Sequence, residues 1–157
     1  MSKRIGLHPA SGTAFAYRRI VGSGAAASID RGTPTKEGSA GAVAIMADGN
    51  GTTSERFSGL AKSVSTDTAS VAGVVEVYFP FPGLIYVAKP KTAGAANTQA
   101  EIDALCGKRT VFDLTTGDWT IDAGAADGAT NGLVIMGGNL QDDVLYFVVS
   151  PTVSIYE

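Results

Sequence analysis

The chain has 157 residues with one histidine and one cysteine, so little side-chain chemistry is open to it. Acyl transfer needs a nucleophile, a base and an orienting group within hydrogen-bond reach of one another. His8 stands near the N-terminus, far in sequence from Cys106 and from any acidic cluster. Cys106 follows Leu105, and a lone thiol there is expected to act as a small buried hydrophobe. Lys108 and Arg109 lie close enough to favour its thiolate, yet no third partner is in view. Gly107-Lys108 fails as a phosphate loop, because Ile102 stands where the first glycine belongs and Arg109 where Ser or Thr belongs. Asp48-Gly49-Asn50-Gly51-Thr52 opens like a calcium loop, but Thr53 and Gly59 occupy its glycine and bidentate-glutamate positions, so a hairpin tip is expected. Asp142-Asp143 follows Gly137-Gly138-Asn139 and reads as a solvated turn, and Asp122 and Asp127 flank a Gly/Ala loop. The expectation is a protein that is not an enzyme, with no catalytic residue, metal ligand or cofactor site.

The composition points to contact with neighbours. Hydrophobic residues make up 45% but include many alanines, and the 20 glycines add little core volume. Charged residues are 17%, against about 25% in an average soluble protein. Such a surface suits a chain that buries area against other subunits. The net charge of -3 excludes a strongly basic nucleic-acid binder. It is divided unevenly: residues 1 to 32 hold Lys3, Arg4, Arg18, Arg19 and Arg31 against Asp30 alone. No apolar run reaches the roughly 18 to 20 residues of a membrane helix. The start MSKRIGLHPASG has no apolar stretch of the secretory kind, and one cysteine rules out an internal disulfide. A soluble chain made in a reducing cytoplasm is expected.

These residues must be carried by short strands. From Gly41 onward, apolar runs of four to seven residues alternate with Gly, Asp, Asn, Pro and Thr, the spacing of an all-β sandwich or small barrel. Strands are predicted near 42-47, 56-62, 73-79, 84-88, 109-114, 118-122, 132-137, 143-149 and 152-156. A turn at Thr116-Gly117 sets Leu114 opposite Trp119 and Phe112 opposite Ile121, and all four are expected on one core face, with Asp113 and Thr120 on the other. Pro82-Gly83 suits the centre of a type II turn. Thr98-Gln99-Ala100-Glu101 is a capping box and starts the one short helix, with Ile102 and Leu105 on one face. Residues 1 to 32 show no sustained period and are expected to form an extended N-terminal arm, leaving 33 to 157 as a β-barrel body.

The order of blocks then matters. Phe57-Ser58-Gly59-Leu60-Ala61, Gly73-Val74-Val75-Glu76-Val77, Gly83-Leu84-Ile85, Gly107-Lys108-Arg109-Thr110-Val111-Phe112-Asp113 and Gly132-Leu133-Val134-Ile135-Met136-Gly137-Gly138 resemble the layout of tailed-bacteriophage capsid decoration proteins, also called cement or head-stabilising proteins. The resemblance covers about 40 to 157 and transfers no catalytic residue. It implies a virion protein on the outer capsid surface, made in the bacterial host cytoplasm and bound to the major capsid protein. It further implies a homo-oligomer, often a trimer at three-fold or quasi-three-fold positions, with an extended terminus lying across the capsid. On that reading Arg4, Arg18, Arg19 and Arg31 clamp carboxylates on the capsid, and Phe15 and Tyr17 are the apolar anchors. The alternative is a carbohydrate-binding or fibre-tip β-domain of a virion, using Trp119 or Tyr86 as exposed aromatics.

Overall fold

The computed structural model describes residues 8–11, 14–22, 28–47, 49, 55–81, 83–115, 117–125 and 127–151. Its first half closes into a five-stranded barrel of β2 (Ala16–Val21), β4 (Val43–Ile45), β3 (Pro34–Glu37), β5 (Phe57–Ala61) and β6 (Gly73–Tyr78), in that spatial order. β6 returns to β2 in a register that runs unbroken from Ala16–Tyr78 to Val21–Gly73. Val21, Val43, Val75, Val77 and Ala61 fill the interior together with Ile29 from the loop after β2. β5 has a bulge where Gly59 takes φ 139°; a Cβ there would sit 2.1 Å from the Tyr78 carbonyl oxygen, so only glycine lets β6 lie this close.

The second half, joined at one edge by β1 from the N-terminal end, forms a sheet in the order β1 (His8–Ser11), β7 (Ile85–Ala88), β12 (Val144–Val149), β11 (Leu133–Asn139) and β8 (Arg109–Thr110). Beside it stands the hairpin of β9 (Phe112–Thr115) and β10 (Asp118–Ile121). Phe57 from the barrel lies 5.5 Å from Phe112 and 6.0 Å from Tyr86, and Tyr86 stacks at 5.5 Å on Phe147. With Met46, Leu60, Leu133, Ile135 and Leu145 these rings form one core shared by barrel, sheet and hairpin. The helix α1 (Gln99–Leu105) begins at the expected capping box, in which Thr98 and Glu101 serve each other's backbone amides. It lays Ile102 against β11 at Gly138.

The fold is thus the expected small all-β barrel with one short helix, and the predicted strands fall on β4 to β12 with ends shifted by one or two residues. The strand expected at 109-114 divides at Val111, because Thr110 pairs with Leu133 in the sheet while Phe112 turns away to pair with Ile121. The segment 152-156 lies outside the described residues. The hairpin register is the predicted one, yet Leu114 is exposed and Trp119 only half-buried, while Asp113 is buried. The core takes in Phe112 and Ile121, Trp119 packs half-buried against it, and Leu114 lies outside. The turn at Pro82-Gly83 closes through a Leu84 amide to Phe81 carbonyl hydrogen bond of 3.1 Å, with Gly83 at φ 83°; Pro82 itself is not among the described residues.

The largest departure concerns residues 1 to 32. The expected arm contributes β1 to the sheet and β2 to the barrel wall, and Gly32 donates its amide to the Ala61 carbonyl. Its described residues belong to the body, and the chain does not divide at residue 33. The missing signal was period: Tyr17, Arg19 and Val21 alternate with exposed Ala16, Arg18 and Ile20, but two of the inward residues are polar.

The Tyr86 hydroxyl is buried in this core and has no hydrogen-bond partner among the described residues, and burial, with a smaller contribution from Tyr17, pushes its pKa upward. An unfolded tyrosine ionises near pH 10, so above that pH the unfolded chain gains a charge that the folded chain resists, and stability falls. Lys91, whose pKa is raised by hydrogen bonds to Asp113 and Asp122, adds to the fall once the unfolded lysine deprotonates. Tyr86→Phe is predicted to raise stability at pH 7 by about 1 kcal/mol, because an unsatisfied buried hydroxyl is removed, and to flatten the decline between about pH 10 and 12. Urea melts across that range check both; a loss of stability at pH 7 contradicts the reading.

Candidate binding surface

β2 holds six residue pairs with β6 but only one, Val21 with Val43, with β4 on its other side. The two strands diverge from that point toward the mouth of the barrel, and side chains bridge the gap. The Arg19 guanidinium donates to Glu37 Oε1 at 2.6 Å and to the Gly41 carbonyl at 3.1 Å. It lies 5.6 Å over the Tyr17 ring, and the Tyr17 hydroxyl donates across the barrel to the Ser58 carbonyl at 3.2 Å. Burial alone pulls the Arg19 pKa down, but the Glu37 carboxylate and the Tyr17 hydroxyl outweigh it, so the net direction is upward. Arginine suits this position because one terminal nitrogen serves the Glu37 carboxylate and the Gly41 carbonyl while the other donates to the Tyr17 hydroxyl at 3.4 Å, a spread that a single ammonium cannot cover.

An aromatic run continues outward from this seam. Tyr17 lies 5.5 Å from Phe79, Phe79 4.7 Å from Phe81, and Phe81 5.9 Å from Phe15. The Phe79 amide donates to the Phe15 carbonyl at 2.7 Å, which carries the β2–β6 pairing past the barrel wall and fixes both outer rings on one rigid ribbon. Phe15 is 57% and Phe81 46% exposed. Two large exposed rings in contact form an apolar spot next to a charge pair already satisfied, and aromatic anchors of this kind carry much of the energy of protein contacts.

The six residues nominated as an arm therefore part company. Phe15, Tyr17 and Arg19 come together at the mouth, and the last two are structural there. Arg18 faces outward from β2, Arg31 is exposed in the turn before β3, and Arg4 lies outside the described residues. Sequence reasoning missed Phe79 and Phe81, which flank Pro80; their spacing with Phe15 becomes legible only once β2 is paired with β6.

The other chemical candidates lie apart. His8 is exposed in β1, and Cys106 is exposed at the end of α1 rather than buried, because the core stops at Ile102 and half-buried Leu105. Asp143 is more than a solvated turn residue: at φ 48° its carboxylate accepts the Gly94 and Ala96 amides at 2.8 and 3.2 Å, tying the β11–β12 turn to the loop before α1. Asp113 and Asp122 share Lys91 at 2.8 and 3.2 Å, and Asp127 accepts the Arg109 amide. The expected hairpin tip at 48-52 lies almost wholly outside the described residues. Among the described residues no group of three or more His, Cys, Asp or Glu is placed to hold a metal ion. Of the two aromatics considered for sugar stacking, Tyr86 is fully buried and Trp119 is half-buried with its ring edge-on to Phe112.

No family model, curated protein or solved structure matches the chain.

Replacing Arg19 by methionine leaves Glu37 without its cation and opens the seam. The pair is partly solvated, at 15% and 34% exposure, so the expected loss is about 2 kcal/mol, between the values for surface and buried pairs. Arg19→Lys is predicted to recover less than half of it, since an ammonium cannot reproduce the fork. Chemical denaturation of the three proteins checks this, and full stability of the methionine variant would contradict it.

Proposed function

We propose that the chain is a structural virion protein of the capsid-decoration type, which attaches to a major capsid protein through the aromatic end of its barrel and performs no chemistry. The observation that carries this reading is the exposed Phe15–Phe81 pair, held on a rigid ribbon beside a closed barrel. The resemblance of the strand-and-glycine blocks from about 40 to 157 to decoration proteins supports it, as does the low charge content. A preformed apolar anchor suits a permanent neighbour, because little side-chain entropy remains to be lost on docking. Tyr17 and Arg19 act in this reading by holding β2 in place, and the contact itself falls to Phe15 and Phe81. For the carbohydrate-binding alternative, the exposed rings are phenylalanines with no hydrogen-bonding edge, which supports protein contact over sugar.

The test is cosedimentation with heads that lack the protein. Phe15→Ser and Phe81→Ser are each expected to weaken attachment by about 1 to 2 kcal/mol, roughly five- to thirtyfold, and the double variant to abolish it under conditions that saturate wild type. Both side chains are exposed, so the melting temperature should hardly change. Attachment of the double variant at full strength would remove the aromatic end from the contact. Binding of the isolated protein to a glycan array, lost in the same variant, would favour the carbohydrate reading.

A further inference from the structure

The seam that Arg19 spans also leaves a row of backbone groups exposed. The Phe79 amide bonds to the Phe15 carbonyl, and the unbroken register from there gives Tyr17, Arg19 and Val21 the hydrogen bonds to β6. The N–H and C=O groups of Ala16, Arg18 and Ile20 then point the other way, into the seam. β6 shows the same parity, because Val74 and Glu76, opposite Ile20 and Arg18, turn their carbonyls away from β2 to the Thr66 and Lys62 amides. Across the seam the one parallel pair, Val21 with Val43, takes up the Ile20 carbonyl. A longer parallel pairing would set residues 38 to 42 against 16 to 20. They turn through Ser39–Gly41 instead, with Ala40 at φ 55° and Gly41 at φ 74°. Among the described residues the amides of Ala16, Arg18 and Ile20 and the carbonyls of Ala16 and Arg18 have no hydrogen-bond partner.

On its seam side β2 is therefore an open strand edge. Donors and acceptors that alternate at strand spacing match one kind of ligand, the backbone of another extended chain. The side chains narrow the choice. Ala16, Arg18 and Ile20 are exposed and stand together on the outer face. Ile20 pairs in register with exposed Val74, and an apolar side chain opposite Ile20 on an added strand would extend that pair. Arg18 has no ion pair among the described residues, and Glu76, opposite it on β6, is held by Lys62 at 3.3 Å. A carboxylate on the added strand supplies the missing partner. A second β2 edge is the wrong occupant, because antiparallel pairing about Arg18 sets guanidinium against guanidinium.

We propose that the β2 edge binds an extended segment of another protein by strand addition, one with a carboxylate opposite Arg18 and an apolar residue two positions away opposite Ile20. The contact it displaces is the exposed Arg19–Gly41 bond, which Arg19 can release while it keeps Glu37. The site goes beyond the decoration reading and does not rest on it, since the isolated chain and a peptide are enough to show binding.

The probe is an end-blocked peptide, Thr-Val-Thr-Asp-Thr-Val-Thr, titrated into the isotope-labelled full chain and followed by NMR. In the protein alone the amides of Ala16, Arg18 and Ile20 should exchange rapidly with solvent while those of Tyr17, Arg19 and Val21 are protected. Millimolar peptide should slow the first three and shift their resonances. N-methylation of alternate peptide residues tests the backbone contact: the set that faces β2 should abolish binding and the other set should leave it intact. Arg18→Glu should weaken binding roughly tenfold, and a peptide with Lys in place of Asp should recover it on that variant. Slow exchange at 16, 18 and 20 without peptide would overturn the proposal; if it strengthens with protein concentration a second copy occupies the edge, and if it does not the chain closes its own seam. Unmoved resonances at millimolar peptide, equal effects of the two methylated sets, or undiminished binding by Arg18→Glu would each overturn it as well.

Discussion

The Arg19–Glu37 bridge is the interaction on which the rest of this architecture depends. A five-stranded barrel closes only if its last seam is held, and here the backbone provides a single pair at that seam, Val21 with Val43. Arg19 spans the remainder by gripping Glu37 and the Gly41 carbonyl, with Tyr17 fastened to Ser58 one step further out. Side chains do here what hydrogen-bonded backbone does elsewhere in the wall. The consequence reaches the surface, because a fixed β2 is what allows Phe15 to pair with the Phe79 backbone and stand against Phe81. It also aligns Ile20 with Val74 on the outer wall.

The barrel and the five-stranded sheet have no strand in common and are joined by aromatic packing. Phe57 leaves the barrel wall to meet Phe112 and Tyr86, so the barrel and the five-stranded sheet have one core between them. This packing explains why burial in the hairpin is deepest at Phe112 and Ile121 and fades to the exposed Leu114. It also explains the orphaned Tyr86 hydroxyl, which lies where the surrounding side chains are apolar.

Much of this was legible in the residues. The alternation around Thr116-Gly117 fixed the hairpin register to the residue, and Thr98 with Glu101 marked the helix start, because both are local patterns with a single geometric solution. The strand role of 16 to 21 was hidden, since its inward residues are Tyr17, Arg19 and Val21, and a period-two reading that looks for apolar positions passes over an arginine. Arg19 faces inward only because Glu37 and Gly41 wait across the seam, and no local rule shows that. The aromatic end was equally invisible, because Phe15 and Phe81 lie far apart in sequence and meet through a pairing not legible locally. Asp143 looked like an ordinary turn residue until its two amide partners in the 94–96 loop were in place.

β2 is part of the barrel wall, and native-state hydrogen exchange reads this directly. Amides of residues 16 to 21 that bond to β6 should exchange as slowly as their partners in 73 to 78, and Arg19→Met should speed the two sets together. Rapid exchange across 16 to 21 in the wild type, with 57 to 61 still protected, would show that the segment is not held in the wall and would contradict the central claim.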